Sequence, residues 1–332
     1  MASAQPIQYF DLEEFTFLDG TRLTNVRLAY LDINPTASKV ALVATCFSGR
    51  LHSTLAFDKG ALGNHRVVVV ALFGNGESAS PSTRSDFPTS ISYQDCVHAQ
   101  YALLTKKLKL EELDVVLGFS MGGQTAYHWA TMYPTFVKNA VIICSSSRTS
   151  RHNYQFLEGP SAALINAIDY PKPARSSIRS GEVLKCLQAF GKAYSAWLTS
   201  AEWFDDELYK ELGFNSLEEW DRKEAVDDNV GWDPDDLLIM LRMWQQGDVS
   251  KVGEGAASLE DVLKGIAARV LLLPCQTDQY FRPGPNYKES EHLKRGVVKV
   301  IPSIWGHIAG GGANPKDTEF IDGQITNFLS QT

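Results

Sequence analysis

Apolar residues fall along this chain in short β-branched runs, separated by stretches with helical spacing. Lys39 to Thr45 is one run of strand length, and Arg66 to Leu72, with its consecutive valines, is another. Leu113 to Phe119 and Lys138 to Cys144 repeat the pattern. Between them, Ser92 to Leu108 and Met121 to Tyr133 carry apolar residues at helical intervals, the second stopped by Pro134. Upstream, Thr16 to Ile33 reads as two strands about a turn at Asp19-Gly20. A strand with one wet face alternates apolar and polar residues. The central runs are continuous instead, so both faces are buried. Such strands alternating with helices predict an α/β architecture, a mostly parallel sheet covered on both faces.

The alternation lapses from about Ser147 to Ser258. That stretch is rich in helix formers and in aromatic residues, among them Trp197, Trp203, Trp232, Trp244, Tyr154, Tyr170, Tyr194 and Tyr209. It predicts a helical cap, 147–258, inserted into a core built from 1–146 and 259–332. Strand-like runs resume at Arg269 to Leu273 and Val297 to Ile301, and Asp317 to Leu329 closes the chain as an amphipathic helix. No internal repeat or low-complexity tract interrupts this order.

Composition narrows the functional classes. The chain has 332 residues, 44% hydrophobic and 21% charged, enough for a large buried core. Its net charge is −8 and no Lys/Arg run stands out, so nothing favours nucleic acid or an anionic membrane. The cysteines, Cys46, Cys96, Cys144, Cys186 and Cys275, are widely spaced and odd in number. They predict reduced thiols in a cytoplasmic protein, not a disulfide framework. With no Cys-x-x-Cys and no His-Glu-x-x-His, no metal is expected. Met1 to Phe10 lacks the pattern of a secretory signal, no apolar run is long enough to span a bilayer, and Ser330-Gln331-Thr332 matches no targeting address.

The candidate chemistry centres on Gly118-Phe119-Ser120-Met121-Gly122, a G-x-S-x-G segment. The pattern alone arises by chance in roughly one chain of this length in ten. Its setting carries more weight: a buried strand, Val115-Val116-Leu117, runs into it and a helix leaves it. On such a turn a serine is lifted above the sheet edge, and glycines relieve the close backbone contacts. The helix N-terminus favours negative charge developing at that point. A serine hydroxyl needs a base, and the base needs a carboxylate to orient it. Of the histidines, His307 alone follows the last predicted strand on a loop of small residues, Gly306 to Gly312. His98 and His128 fall within helices. Asp278 follows the strand Val270 to Leu273 and precedes a turn-forming Arg282-Pro283-Gly284. Ser120, Asp278 and His307 are therefore the predicted nucleophile, acid and base. An oxyanion hole would draw on the amide of Met121 and on the loop Cys46-Phe47-Ser48-Gly49, where the Phe47 amide is favoured over that of Cys46. Cys46 has no base of its own and reads as a bystander thiol. Gly74-Asn75-Gly76 lacks the spacing of a nucleotide loop and reads as a tight turn near the site mouth.

These residues bring a resemblance into view. Phe73 to Ser82, the elbow Gly118 to Gln124, Ser147 to Asn153, Ala189 to Tyr194, Asp236 to Leu238, Trp244-Gln245 and Trp305-Gly306-His307 are similar to segments of the homoserine O-acetyltransferase-like branch of the α/β-hydrolases. The chain is similar in particular to divergent fungal members, which include stand-alone polyketide-releasing thioesterases. The resemblance covers most of the chain. It implies the α/β-hydrolase fold and the triad Ser120-Asp278-His307. The expected substrate contacts are Asn153, Tyr154, Trp197 and Trp244, since an aromatic cap suits a larger, less polar acyl chain. The resemblance implies no cofactor, with an acyl-CoA or acyl-carrier-protein thioester as donor. The chain departs from the homoserine enzymes at two positions. Ser161 stands where they carry an arginine that holds the amino acid carboxylate, and Ile308 stands where an acidic residue follows the histidine. Without that cation and anion the pocket lacks the groups that would recognise a zwitterion.

The expected activity is acyl transfer through an acyl-Ser120 intermediate, with hydrolysis or lactonisation of a polyketide-like chain as the leading form. A CoA-dependent O-acetyltransferase acting on an alcohol is the alternative within enzymes. A non-catalytic ligand-binding protein is the alternative of another class. A small-molecule ester or thioester is the expected partner, with an acyl carrier protein or a second copy of the chain as further candidates.

Overall fold

The computed structural model describes residues 5–55, 57–171, 184–223, 229, 231–253 and 257–331. Its centre is an eight-stranded sheet in the order β1-β2-β4-β3-β5-β6-β7-β8. The strands are β1 (Gln8–Thr16), β2 (Arg22–Ile33), β3 (Lys39–Ala44), β4 (His65–Val70), β5 (Val115–Phe119), β6 (Asn139–Ile143), β7 (Arg269–Leu273) and β8 (Gly296–Val298). β1 and β2 pair antiparallel, as do β2 and β4, and every other neighbouring pair is parallel.

The valine run of β4 shows why continuity along the sequence meant burial. Val68 and Val70 enter one hydrophobic cluster while Val67 and Val69 enter another. Side chains alternate across a strand, so the two clusters lie on opposite faces. The first hairpin differs from expectation. Its turn lies at Asp19-Gly20, but β1 starts at Gln8 and ends at Thr16. β1 is an edge strand, mostly exposed, and its Asp11, Glu13 and Glu14 hide it from a reading based on apolar runs. β8 is shorter than the expected run to Ile301. Pro274 in the neighbouring chain offers no N–H, so pairing lapses and returns only as a bridge between Cys275 and Ile301.

Helices α1 (Tyr93–Ala102) and α2 (Met121–Met132) follow β4 and β5. Ser92 caps α1 in a reciprocal box with Asp95, and the helix then widens to a π turn at Leu103–Lys107. Nearly all of α2 is buried, from Met121 to Ala130, as befits a helix wedged between the sheet and other helices. Between β6 and β7 lie α3 (Arg151–Ile165), α4 (Lys185–Ser195), α5 (Ala201–Asp205), α6 (Leu217–Asp221), α7 (Pro234–Gln245) and α8 (Leu259–Gly265). An isolated bridge, Arg148 to Asp248, is the only pairing outside strands among the described residues of 147–258. Parts of that expected cap, 172–183, 224–228, 230 and 254–256, lie outside the described residues. Helix α9 (Pro283–His292) begins where a turn was expected, because Pro283 occupies its first turn, where its missing N–H is harmless. α10 (Pro315–Ser330) closes the chain.

Candidate active site

The C-terminal ends of parallel strands β3, β5, β7 and β8 converge, which is where open α/β sheets bind ligands. Ser120 sits between β5 and α2 with φ 57° and ψ −125°, a backbone state that costs on the order of 1–3 kcal/mol. The surroundings enforce it. A Cβ on Gly118 would lie 2.0 Å from the carbonyl carbon of Gly122, and one on Gly122 would lie 2.6 Å from the Ala44 carbonyl oxygen. A Cβ on Gly123 would meet Ser145 Cβ at 2.5 Å. The Ser120 amide donates to the Ile143 carbonyl (3.0 Å), and Ser145 Oγ donates to the Ser120 carbonyl (2.7 Å). The G-x-S-x-G-G spacing is thus a set of backbone approaches, each closed to a side chain.

Ser120, His307 and Asp278 meet in one hydrogen-bonded line. His307 Nε2 is 2.9 Å from Ser120 Oγ, and His307 Nδ1 is 2.8 Å from Asp278 Oδ2. An ionised carboxylate only accepts, so Nδ1 donates to Asp278 and neutral Nε2 is left to accept from the serine hydroxyl. Asp278 Oδ1 accepts from the amides of Tyr280 (2.8 Å) and Phe281 (3.0 Å). The His307 amide donates to the Leu198 carbonyl (2.9 Å), which ties its short 3-10 turn to the segment after α4. All three side chains are buried, with Ser120 only 2% exposed.

The amides of Met121 and Phe47 have no acceptor among the described residues. Both residues are buried, and the loop that carries Phe47 leaves the end of β3 against which Gly122 packs. Burial pushes the Cys46 thiol up to about 11, so it stays protonated near neutrality. Gly74 and Gly76 take φ of +85° and +83° around a buried Asn75, whose side chain accepts from the amides of Glu77 and Ser78. This is a tight turn. It is held to the loop after β3 by Arg50, which donates to the Asn75 carbonyl and lies 3.7 Å from the Trp232 ring.

Aromatic rings cluster around His307. His307 packs against Phe119 (4.7 Å between centroids), Tyr280 (4.8 Å) and Phe281 (5.8 Å). Trp244 stacks on Phe281 at 5.6 Å and lies 5.8 Å from Phe47. Phe47 also contacts Tyr194, and Phe156 stacks on Tyr280. Trp197 joins through Phe156 at 4.9 Å. The structure therefore brings Trp244 within two rings of His307, with Trp197 further out. Asn153 is fully buried, and neither its carboxamide oxygen nor its nitrogen has a partner among the described residues. Tyr154, the next residue of α3, is 48% exposed, and its carbonyl accepts from Gln245 Nε2 (3.2 Å). The other cap tryptophans divide as well. Trp203 packs with Trp220 and Trp305 in the cluster on the opposite sheet face.

Sequence reasoning missed Tyr280 and Phe281, whose amides hold Asp278 and whose rings hold His307. Their signal was adjacency: they directly follow the predicted acid. Phe156 gave no signal beyond being apolar. His98 meets Tyr133 Oη (3.0 Å) and His128 donates to the Gln124 carbonyl (2.7 Å), both away from the serine.

A family model described as alpha/beta hydrolase fold matches residues 46–262. The chain belongs to the α/β-hydrolase family. This α/β-hydrolase is 30% identical to the ethyl acetate hydrolase of Pseudomonas veronii, over 90% of this chain and 87% of that one. It is 27% identical to a homoserine O-acetyltransferase of Haemophilus influenzae, over 92% and 94% of the two chains. Among solved structures, the acetyl esterase MekB superposes with a TM-score of 0.89 at 28% identity, covering 98% of this chain and 97% of that one. Homoserine O-acetyltransferases are thus among its homologues and esterases among its neighbours. Among the described residues, no helix is long and apolar enough to cross a membrane.

Proposed function

We propose that this α/β-hydrolase is a serine ester hydrolase that carries a short acyl group on Ser120. The observation that supports the reading is the line Ser120 Oγ to His307 Nε2 to Asp278. Ser120 Oγ attacks the ester carbonyl carbon while His307 Nε2 takes the hydroxyl proton. The carbonyl oxygen becomes an oxyanion, stabilised by the Met121 and Phe47 amides. The bond to the leaving alcohol breaks, and Nε2 returns the proton to that oxygen. Water then attacks the acyl-Ser120 ester, Nε2 takes its proton, and Ser120 Oγ leaves with that proton. Asp278 stays ionised throughout, fixing the imidazole tautomer and stabilising the imidazolium. No cofactor enters the scheme.

A short acyl group suits a serine that is 2% exposed, hydrogen-bonded to a His307 packed among Phe119, Tyr280 and Phe281. The acetyl ester hydrolases among the relatives support the same size. Release of a polyketide-like chain from a carrier-protein thioester, by hydrolysis or lactonisation, uses the same first step. It has only the shared Ser120-His307-Asp278 geometry behind it, so it is the weaker form of the reading. Acetyl transfer from CoA to an alcohol is the second reading, supported by the full-length likeness to homoserine O-acetyltransferases. Ser161 and Ile308 weigh against homoserine as the acceptor. In either reading the helices of 147–258 serve as the lid, and the five unpaired thiols fit a reducing cytoplasm.

The test is hydrolysis of acetyl and longer acyl esters, together with intact mass after brief exposure to substrate. The expected result is an acetyl adduct on wild type, none on Ser120→Ala, and rates falling with chain length. Activity surviving in Ser120→Ala would overturn the mechanism. A preference for long thioesters, or transfer from acetyl-CoA outrunning hydrolysis, would favour the other readings.

A further inference from the structure

Asp278 has a neighbour that this scheme does not use. Cys144 follows the last residue of β6 and is fully buried. Its Sγ, a carboxylate oxygen of Asp278 and a ring nitrogen of His307 all lie within 4.8 Å of one another. Two backbone features accommodate the thiol there. Cys144 has φ +44°, a left-handed state that residues with a Cβ rarely adopt. It is held there by its amide, which donates to the Leu273 carbonyl (2.9 Å) and so ties the end of β6 to the strand that delivers Asp278. On the other side, a Cβ at Gly310 would lie 2.7 Å from Cys144 Sγ, so the glycine three residues past His307 leaves the sulfur its space.

The carboxylate has room for this donor. Two amides occupy Oδ1 and His307 Nδ1 occupies Oδ2, which leaves one of about four lone-pair positions. Burial first, and the charge of Asp278 second, push the Cys144 thiol well above its ordinary value, so it keeps its proton and can only donate. The other titratable groups facing the pair, Cys275, Tyr194 and Tyr280, are also kept neutral by burial. Cys275 is turned away, towards the Ser303 carbonyl.

We propose that Cys144 is a positioning residue for Asp278, its S–H donating to the carboxylate and fixing the orientation in which Asp278 receives His307. The inference rests on the acyl-Ser120 reading. Removing the donor leaves Asp278 freer to rotate and a stronger partner for the imidazolium. His307 then takes up its proton at higher pH.

The experiment compares Cys144→Ala and Cys144→Ser in full kcat and kcat/KM pH profiles on a short acyl ester, with thermal melts alongside. Alanine is expected to lower kcat about threefold to tenfold with little change in KM, and to move the acid limb of kcat/KM up by about 0.3–0.5 pH unit. Serine restores a donor and is expected to recover most of both effects. Should alanine fail to fold, Cys144→Gly tolerates φ +44° and removes the same donor. An acid limb that stays put, or equal losses in alanine and serine that follow the melting temperature, would reduce Cys144 to packing and overturn the inference. Ser120→Ala separates the two levels. Residual activity there removes the underlying reading and the inference with it. An inactive Ser120→Ala with an unmoved alanine profile removes the inference alone.

Discussion

Replacing Asp278 by asparagine tests the site more sharply than removing the side chain, because the surrounding donors dictate which way the new carboxamide points. Oδ1 of Asp278 accepts from the amides of Tyr280 and Phe281. In Asp278→Asn those two donors must keep the amide oxygen, so the NH2 group faces His307 Nδ1. Reversing the amide would lose both bonds and set NH2 against two N–H groups, at about 1–3 kcal/mol for each buried donor left unpaired. With NH2 donating to Nδ1, the imidazole proton moves to Nε2. That nitrogen, 2.9 Å from Ser120 Oγ, can then no longer take the serine proton. The expected loss in kcat is on the order of 10³–10⁴, as for other enzymes in which the wrong tautomer is enforced. The fold should barely notice, since all backbone bonds persist. Asp278→Ala is the comparator. It abandons two buried amides and should lose roughly 2–5 kcal/mol of stability as well as activity. The assay is ester hydrolysis at neutral pH with urea unfolding of both variants. Asparagine retaining more than a tenth of wild-type kcat, or unfolding as easily as alanine, would refute the assigned bonding.

Two further predictions follow from buried contacts. Gly118→Ala places a Cβ on immovable backbone of Gly122, so it should cost more than about 3 kcal/mol or abolish folding, whereas Gly265→Ala, with open space around it, should be neutral within about 0.5 kcal/mol; thermal melts decide. His128 is buried against Tyr93, and burial depresses its pKa to about 4, so the unfolded chain binds its proton first. Its contribution is present above about pH 6.5 and lost as pH falls towards 4, amounting to about 3 kcal/mol. Urea unfolding of wild type and His128→Asn across that range should diverge by this amount, and parallel profiles would sink the assignment.

The legible and illegible parts of the site differ in the range of the contacts that define them. The elbow could be read because its geometry is enforced within a few residues: Gly118, Gly122 and Gly123 stand where an added Cβ would fall within 3 Å of Gly122, Ala44 or Ser145. The order of Asp278 and His307 was legible because each directly follows an apolar run. β1 was hidden by its charges, being an edge strand with little to bury. The ring cluster around His307 and Phe47 was hidden for another reason. Trp203 and Trp244 lie in the same helical stretch with similar surroundings in sequence. One packs with Trp220 and Trp305, and the other with Phe47 and Phe281, which come from opposite ends of the chain. No periodicity encodes that choice, because it depends on which sheet face each helix crosses.

The same distinction explains why reaction type was easier to reach than substrate. Taking a proton from Ser120 needs one nitrogen, one carboxylate and a strained turn, and each has a local sequence cause. In the proposed reading the size of the acyl group depends on the rings packed around His307 and Phe47, and the polar portion of the substrate on Asn153, a buried carboxamide without a partner among the described residues. A buried amide without partners costs about 1–3 kcal/mol, which a bound substrate carbonyl or hydroxyl could relieve. If it does, Asn153→Ala should raise KM for the natural acceptor or alcohol portion more than it lowers kcat, while for a simple acetyl ester lacking further polar groups both constants should hold. A variant that damages both substrates alike would place Asn153 in the frame of α3.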